Sequence, residues 1–273
     1  IKKLDHNNFK NLLEGYMDNE ITKIGIVLDG TLNTIRKALE NDIDFLIVHH
    51  GMVGCRSTGT EGYFEKLKLI RDNKIAVYRM HLNLDFCNYG IQWQLCRLYG
   101  MENIEAVDMH YKNHYIKQGC YIGTIPYSFK DFLEKVLRVT KSQEISVYNY
   151  IDNKKIKKVA LTSGSGFQPG FAEQLVKQHQ IDALISGEMT IHGLREGQEA
   201  GLTLIATTHY SDEETGLNKV AHHLDTAIFS DIPVIFIDDP ENRTIFTLND
   251  FKTVSQEYTF EYEEEKHFSG ITR

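Results

Sequence analysis

The stretch "DFLIVHHGM", residues 44–52, joins an apolar run to two adjacent histidines. Its four apolar residues, Phe45 to Val48, are typical of a short strand that is buried on both faces. His49 and His50 follow the run at once, and Gly51 follows them. Neighbouring residues of a strand face opposite sides, but a glycine just beyond the strand lets the backbone turn, so both imidazoles could reach one place. The stretch therefore predicts a strand that ends in a functional site.

Strands and helices alternate on both sides of this stretch. The apolar run at residues 23–29 predicts a strand, and apolar residues at helical spacing follow it as far as Leu39. Residues 63–73 predict another helix, and residues 74–80 predict another strand. Alternation of strand, helix and strand is the pattern of a parallel sheet in an α/β protein.

The second half of the chain repeats this order. Strand-like runs at residues 157–166 and 182–189 flank a helical pattern at residues 169–180. The dipeptide Ile-Asp precedes the second strand in both halves, at residues 43–44 and 181–182. The shared order predicts that one α/β unit occurs twice.

A later strand in each half ends in a histidine that is followed four residues on by a carboxylate. These pairs are His81 with Asp85 and His209 with Glu213. We interpret the repeat as an internal duplication that gives two similar α/β lobes with a cleft between them. The first lobe is expected to comprise residues 1–125 plus 230–273, and the second lobe residues 126–229.

Composition excludes several classes of protein. The formal charge of −8 disfavours a nucleic-acid-binding protein, because such affinity comes mainly from clustered Lys and Arg. The four cysteines form no C-x-x-C pair, which argues against a disulfide scaffold or a cysteine-type zinc site. No leader-like segment and no apolar run long enough to span a bilayer is evident. These features predict a cytoplasmic protein without a membrane partner.

The strand ends offer ligands for metal ions. Ligands of parallel α/β sheets bind beyond the carboxyl ends of the strands, where His49, His50 and both histidine–carboxylate pairs are expected. Imidazoles with carboxylates and no thiolate suit zinc, manganese or ferrous iron. We therefore predict a site in the cleft that holds two cations, with one carboxylate bridging them.

Each pair alone has a simpler interpretation. A histidine at a strand end is more often a hydrogen-bonded turn residue, and a histidine–glutamate pair four residues apart is usually a surface pair on a helix. Short motifs are weak evidence by themselves. The recurrence of the pairs at equivalent strand ends of both halves favours metal ligands.

Two further segments carry candidate functional residues. In "SGEMTIH", residues 186–192, Glu188 matches His50 in the repeat, and His192 follows four residues later, so both are expected to face the cleft. The turn "TSGSGFQPG", residues 162–170, offers backbone amides that could bind an anion, but it lacks the lysine of a P-loop.

Four further histidines and one cysteine are interpreted as residues without a functional role. We expect four histidines to face solvent: His110, His114, His222 and His223. Cys55 lies close to the paired histidines and could be a further ligand, but a small buried apolar residue is the commoner role of a free cysteine.

Four motifs in this order resemble one known family. They are "IVHHG", "HLNLD", "SGEMTIH" and "THYSDEETGL", and the resemblance covers roughly residues 1–240. The chain is similar to the NIF-three-like dinuclear metal-centre family, whose members are also called GTP cyclohydrolase I type 2 homologues. The resemblance implies two α/β lobes, a dinuclear metal site between them and a ring-shaped homohexamer.

The resemblance also implies a ligand set and a bridging residue. The family's ligands correspond to residues of this chain, with Glu213 as the bridge and His81 beside the metals: His49, His50, Asp85, His209 and Glu213. Three positions depart from the family pattern: Gly51 replaces the usual proline, Leu82 the usual threonine and Thr208 the usual glycine. None of these removes a ligand, so the departures concern the shape of the cleft and the substrate.

The predicted function is that of a dinuclear-metal-dependent hydrolase. Two cations that share a carboxylate could activate water and polarise a substrate, and Glu188, His192 or His81 could act as general acid or base. The family name suggests opening of the purine ring of GTP, whereas a phosphoester would suit the same metals. The alternative is a hexameric metal-binding scaffold or regulator without catalysis.

Overall fold

The computed structural model describes residues 12–14, 20–52, 61–229, 231–247 and 250. The chain divides into two compact units, residues 1–239 and 240–273, and both sheets lie in the first. Cys55 and nearly all of the tail after Phe246, which had no predicted place in the fold, lie outside the described residues.

Most of the described strands have three or four residues, and only two of them, Glu102–Tyr111 and His114–Thr124, are longer. In chain order they are β1 (Leu12–Glu14), β2 (Ile24–Val27), β3 (Phe45–Val48), β4 (Ala76–Arg79), β5 (Glu102–Tyr111), β6 (His114–Thr124), β7 (Ser146–Tyr148), β8 (Lys158–Leu161), β9 (Ala183–Ser186), β10 (Thr203–Ala206) and β11 (Val234–Phe236).

The described helices connect these strands. They are α1 (Leu32–Glu40), α2 (Glu61–Asp72), α3 (Leu82–Asp85), α4 (Ile91–Leu98), α5 (Phe129–Thr140), α6 (Phe171–His179), α7 (Ile191–Glu199) and α8 (His209–His223), which continues as a π-helical segment (Leu224–Ile228). No helix among the described residues is both long and apolar enough to cross a membrane.

The strands form two mixed sheets. The first has the order β1-β4-β3-β2-β11, and the second has the order β5-β6-β8-β9-β10-β7. In the first sheet β11, β2, β3 and β4 are parallel and β1 is antiparallel. In the second sheet β8, β9 and β10 are parallel, and the strands beside them are antiparallel. The predicted α/β class is confirmed.

Burial explains why the central strands lack hydrophobic–polar alternation. All four residues of β2 and all four of β9 are buried, as expected for parallel strands covered on both faces. The helices begin at polar caps, as at Ser128, whose hydroxyl accepts a hydrogen bond from the Asp131 amide at 3.2 Å.

The two sheets share one order of elements in their parallel parts. β2, α1, β3, α2 and β4 follow one another in the first, and β8, α6, β9, α7 and β10 in the second. In both, the aspartate before the second strand accepts hydrogen bonds from two backbone amides near the start of the first strand. Asp44 accepts hydrogen bonds from the amides of Thr22 (2.7 Å) and Lys23 (3.2 Å), and Asp182 accepts them from Lys157 and Lys158, both at 2.9 Å.

The hairpin of β5 and β6 belongs to the second sheet, although the predicted lobe boundary at residue 125 placed it in the first lobe. β6 pairs antiparallel with β8, with Tyr121 opposite Leu161 and Thr124 opposite Lys158. The backbone pairing of a hairpin with its neighbour is not encoded in its local pattern. Assignment to a sheet therefore needs the tertiary structure.

Candidate metal centre

The predicted ligands stand at the carboxyl ends of three parallel strands. His49 and His50 follow β3, and Asp85 ends the short helix α3 that follows β4. His209 is the first residue of α8, and Glu213 lies one turn further along the same helix. Only Thr207 and the cap Thr208 separate the end of β10 from the first residue of this helix.

Three imidazoles surround one oxygen of Glu213. The Oε2 atom lies 2.8 Å from Nε2 of His50, 3.0 Å from Nε2 of His209 and 3.7 Å from Nε2 of His49. Nε2 of His49 also lies 3.6 Å from Oδ1 of Asp85. All five predicted ligands are therefore brought together.

The outward nitrogen of each imidazole faces an acceptor. Nδ1 of His49 donates to the carbonyl oxygen of Met80 at 2.9 Å, because a carbonyl has no proton to give. Nδ1 of His50 donates to Oδ1 of Asp29 at 3.1 Å, and Nδ1 of His209 lies 3.3 Å from Oε2 of Glu188. With the proton held on Nδ1, a neutral ring presents its Nε2 lone pair to the cluster. Metal-binding histidines are usually held in this way.

Two buried atoms of the cluster lack a proper hydrogen bond. Nε2 of His49 and Oε2 of Glu213 are both shielded from solvent, and no neighbour in the described residues meets them with hydrogen-bonding geometry. His49 is fully buried, and Glu213 is 3% exposed. Buried polar atoms without partners are costly unless a ligand satisfies them. The donor set, all imidazole nitrogen and carboxylate oxygen, fits a divalent cation.

The possible ligand atoms fall into overlapping groups. Three groups have ligand atoms within 4.8 Å of one another: His50 with His209 and Glu213; His49 with Asp85 and Glu213; and His49 with His50 and His81. The first two groups share only Glu213. A shared carboxylate between two sets of ligands is the arrangement that a bridged pair of cations requires.

Burial and charge shift the pKa values of the acidic ligands in opposite directions. Burial raises the pKa of Asp85 to about 6. Burial also opposes ionisation of Glu213, but the imidazoles that surround it outweigh burial and hold its pKa far below the usual range. The close contact with the Glu213 carboxylate in turn raises the pKa of His209. Glu213 is thus the anionic centre of the cluster.

The two half-buried histidines beside the cluster in the first half, His50 and His81, also differ. Burial lowers the pKa of His50, but its hydrogen bond with Asp29 and the close carboxylate of Glu213 outweigh burial and raise the pKa to about 10. Burial lowers the pKa of His81 to about 4, assisted by the charges of neighbouring histidines and of Arg79. His81 is therefore the neutral imidazole beside the cluster, with its ring centre 4.9 Å from that of His49.

The other predicted residues lie in different places. Glu188 contacts the cluster through His209, whereas His192 is exposed in the first turn of α7 and has no hydrogen bond or ion pair with the cluster in the described part of the chain. Three histidines predicted to face solvent are exposed: His110, His114 and His222. His223 is half-buried and stacks on Tyr89.

Comparison with known proteins identifies the family. The sequence model of Duf34/NIF3 (NGG1p interacting factor 3) matches residues 8–242, which include every predicted ligand. The chain belongs to the Duf34/NIF3 family. The resemblance found in the four sequence motifs is therefore confirmed.

Relatives within Duf34/NIF3 match over most of their length. Proteins named GTP cyclohydrolase 1 type 2 homolog from Methanocaldococcus jannaschii and Pyrococcus abyssi are 33% and 32% identical to this chain over 230 residues, covering 81% of this chain and 86% of each relative. Reduced HcgD from Methanocaldococcus jannaschii has a similar structure, with a TM-score of 0.68, 31% identity and coverage of 84% and 88% of the two chains. The Staphylococcus aureus protein SA1388 shares the fold, with a TM-score of 0.71 at 20% identity and coverage of 87% and 91%.

Sequence reasoning missed several residues that support the site in this Duf34/NIF3 protein. Asp29 orients His50, and the hydroxyl of Ser163 donates to Oδ1 of Asp85 at 2.9 Å. Asp212 is buried directly behind Glu213, and its Oδ1 accepts from the amide of Gly164 at 3.4 Å. Of these supporting side chains, only that of Ser163 lies in the glycine turn of residues 162–170, and that turn suggested an anion site instead.

Proposed function

We propose that this Duf34/NIF3 protein binds two divalent cations and uses them for hydrolysis. The observation that carries the proposal is the convergence of three Nε2 atoms on one oxygen of Glu213, which itself lacks a hydrogen bond of proper geometry. A buried imidazole nitrogen and a buried carboxylate oxygen that both lack hydrogen-bond partners among the described residues are unfavourable in a protein without a cation.

The two overlapping groups support an assignment of ligands. One cation would be held by His50, His209 and Glu213, and the other by His49, Asp85 and Glu213. Glu213 would then bridge the pair. Zinc, ferrous iron and manganese all accept this mixture of nitrogen and oxygen ligands.

The protein's own residues would orient the ligands and move protons. When bound, the cations would supply Lewis-acid activation of water and of the substrate. Asp29 and Glu188 hold the rings of His50 and His209. His81 lines the pocket beside the cluster, which places it to exchange a proton with a substrate. His192, which has no contact with the cluster, is the weakest of the three predicted acid–base residues.

The shared order of elements in the two sheets supports the proposal that the lobes arose by duplication. The metal site would lie in the cleft between them, because His49, His50 and Asp85 come from the first half and His209 and Glu213 from the second. The lobe boundaries and the common origin stay proposals.

The relatives' name directs the search for a substrate. Several relatives are named GTP cyclohydrolase 1 type 2 homolog, which supports testing purine-ring opening of GTP beside phosphoester hydrolysis. The homohexameric ring, the nucleotide substrate and the cytoplasmic location stay predictions from the resemblance and from composition.

Elemental analysis followed by a substrate screen tests this function. Purified protein is expected to contain two equivalents of one divalent metal, or to take them up from added zinc, manganese or ferrous iron. The loaded protein is then assayed with GTP and with chromogenic phosphomonoesters and phosphodiesters. Protein that binds at most one ion would contradict the dinuclear site, and two ions without any turnover would favour the scaffold role.

A further inference from the structure

A pocket of about 270 Å³ opens directly beside the candidate metal centre. Asp85, His209 and Glu213 line one end of it, and His81 stands at the same end. A molecule in this pocket would therefore place one of its groups against the ligand cluster. The metal proposal does not explain the remainder of the pocket.

Most of the remaining lining is apolar. It includes Tyr111 and Ile116 from the β5–β6 hairpin and Phe171 from the first turn of α6. None of the described residues that line the pocket is Lys or Arg. Such a surface attracts an uncharged apolar group and offers no cation to pair with a phosphate.

The apolar wall is fixed in place by a side chain outside the pocket. The amide of Gln174 in α6 accepts from the backbone nitrogen of His110 at 3.0 Å and donates to its carbonyl oxygen at 2.8 Å. This two-point contact ties the tip of the hairpin to the helix that carries Phe171. The contact therefore links the two sides of the wall, as is favourable for a preformed binding pocket.

The size of the pocket limits the group that it admits. An apolar cavity of about 150 Å³ is large enough to hold benzene. The pocket here is nearly twice that size, yet it lies below the range of about 300–1,000 Å³ that is usual for drug-sized ligands. A single or fused planar ring suits it, whereas a complete nucleotide with its phosphates would have to extend outside.

We infer that the hairpin wall is a specificity pocket for an uncharged ring whose attached oxygen or nitrogen ligand reaches the metal centre. This inference rests on the proposed function, because the metal-facing end of the pocket is the proposed ligand cluster. It names the substrate class as compact ring compounds with a metal-binding carbonyl, amide or similar group. Ile116 and Phe171 select the ring.

Two hydroxamates that differ only in their apolar part test this pocket. Acetohydroxamate and benzohydroxamate share one metal-chelating group, but only the second carries a ring. Metal content is measured first, and binding of each compound to the loaded protein is measured by calorimetry. Benzohydroxamate is expected to bind about tenfold or more tightly, because the buried ring contributes as a buried aromatic side chain does.

Ile116→Trp fills the pocket and is expected to reduce the preference to about equal binding of the two compounds. Ile116 is half-buried, so the exchange does not open the core, and thermal unfolding checks that the variant folds. Tyr115→Trp is the matched control: this neighbour is 60% exposed and does not line the pocket, so the preference should persist.

The outcomes separate this inference from the proposed function. Protein that takes up no metal would overturn both. Loaded wild-type protein that binds the two hydroxamates equally would overturn the ring pocket alone. An unchanged preference in folded, metal-loaded Ile116→Trp would also overturn it, since the ring would then bind elsewhere.

Discussion

The backbone of Gly164 lies directly beside two of the candidate ligands. It adopts a φ of +51°, in the left-handed region, and a Cβ added there would lie 2.0 Å from Oε1 of Glu213 and 2.7 Å from Nε2 of His209. Only glycine can occupy such a position without displacing the ligands. The turn after β8 thus leaves room for the candidate ligands, because Gly164 has no side chain.

Gly164→Ala is expected to displace Glu213 and to weaken metal binding, as well as to cost about 1 kcal/mol or more of stability. Gly201→Ala is the matched control, since Gly201 has a φ of +80° but no atom within 4 Å of an added Cβ. Both substitutions introduce backbone strain, so the unfolding midpoint should fall in both variants. Metal content should fall only in Gly164→Ala, and equal metal content in the two variants would contradict the argument.

Glu213→Gln removes the charge at the centre of the cluster while keeping the side-chain shape. At least one of the two expected ions should be lost, because a neutral amide no longer offsets the repulsion between two cations. The circular dichroism spectrum should stay that of a folded α/β protein. Glu214→Gln, at the adjacent position outside the cluster, should retain both ions. Two ions bound at wild-type affinity in Glu213→Gln would show that Glu213 is not the bridge.

The sequence indicated the candidate ligands more clearly than the residues that support them. The candidates stand out because they recur in local motifs at strand ends, as with His49 and His50. Asp29 reaches His50 across 21 positions, and Gly164 reaches Glu213 from a different element. Such contacts depend on how elements pack, so a single sequence gives no signal for them.

At the scale of elements, α8 carries two of the five candidate ligands, and its cap fixes their position. Thr208 accepts a hydrogen bond from the amide of Ser211 at 3.0 Å, and the hydroxyl of Ser211 accepts one from the Thr208 amide at 3.2 Å. The cap fixes the first turn of α8, which contains His209. His209 in turn lies beside Glu188.

Thr208→Ala should destabilise the protein by about 1 kcal/mol through loss of the cap. It should also weaken metal binding, but by less than about tenfold, because the cap acts on His209 only indirectly. Ser128→Ala removes the comparable cap of α5 and is the control. Chemical denaturation should show similar losses of stability in both variants. Weakened metal binding in Ser128→Ala too would mean that the effect is merely global.

The central strands were predictable because parallel strands buried on both faces are continuous apolar runs. The β5–β6 hairpin was not predicted. Its pairing shifts register between Glu102 and Glu105 and again between Val107 and Met109, so the alternation that marks an antiparallel strand is interrupted. The hydrophobic pattern of the sequence therefore did not indicate the hairpin that forms the wall of the pocket.

At the scale of the whole molecule, the candidate centre connects the two sheets. His49, His50 and Asp85 follow strands of the first sheet, whereas His209 follows β10 of the second, and Ser163 after β8 contacts Asp85. Bound cations would therefore link segments that are more than a hundred positions apart in the chain. Unfolding of either sheet would destroy the site, so binding should stabilise both together.

Metal removal should accordingly lower the thermal stability of the entire chain. At a free metal concentration one hundred times the dissociation constant, binding to the folded state adds about 2.7 kcal/mol. For a chain of this size each kcal/mol shifts the unfolding midpoint by about 2–4 °C, so dialysis against a chelator should lower it by about 5–10 °C. Readdition of the metal should restore the midpoint.

The chelator effect should depend on the ligands themselves. In Glu213→Gln the difference between treated and untreated protein should shrink, since fewer ions remain to be removed, whereas Glu214→Gln should show the full difference. Hydrogen exchange tests which sheets the bound metal stabilises. Protection should decrease on metal removal at the ends of β3 in the first sheet and of β10 in the second, because the ligands that follow both strands lose the same ions. A loss of protection confined to one sheet would mean that the ions do not connect the two.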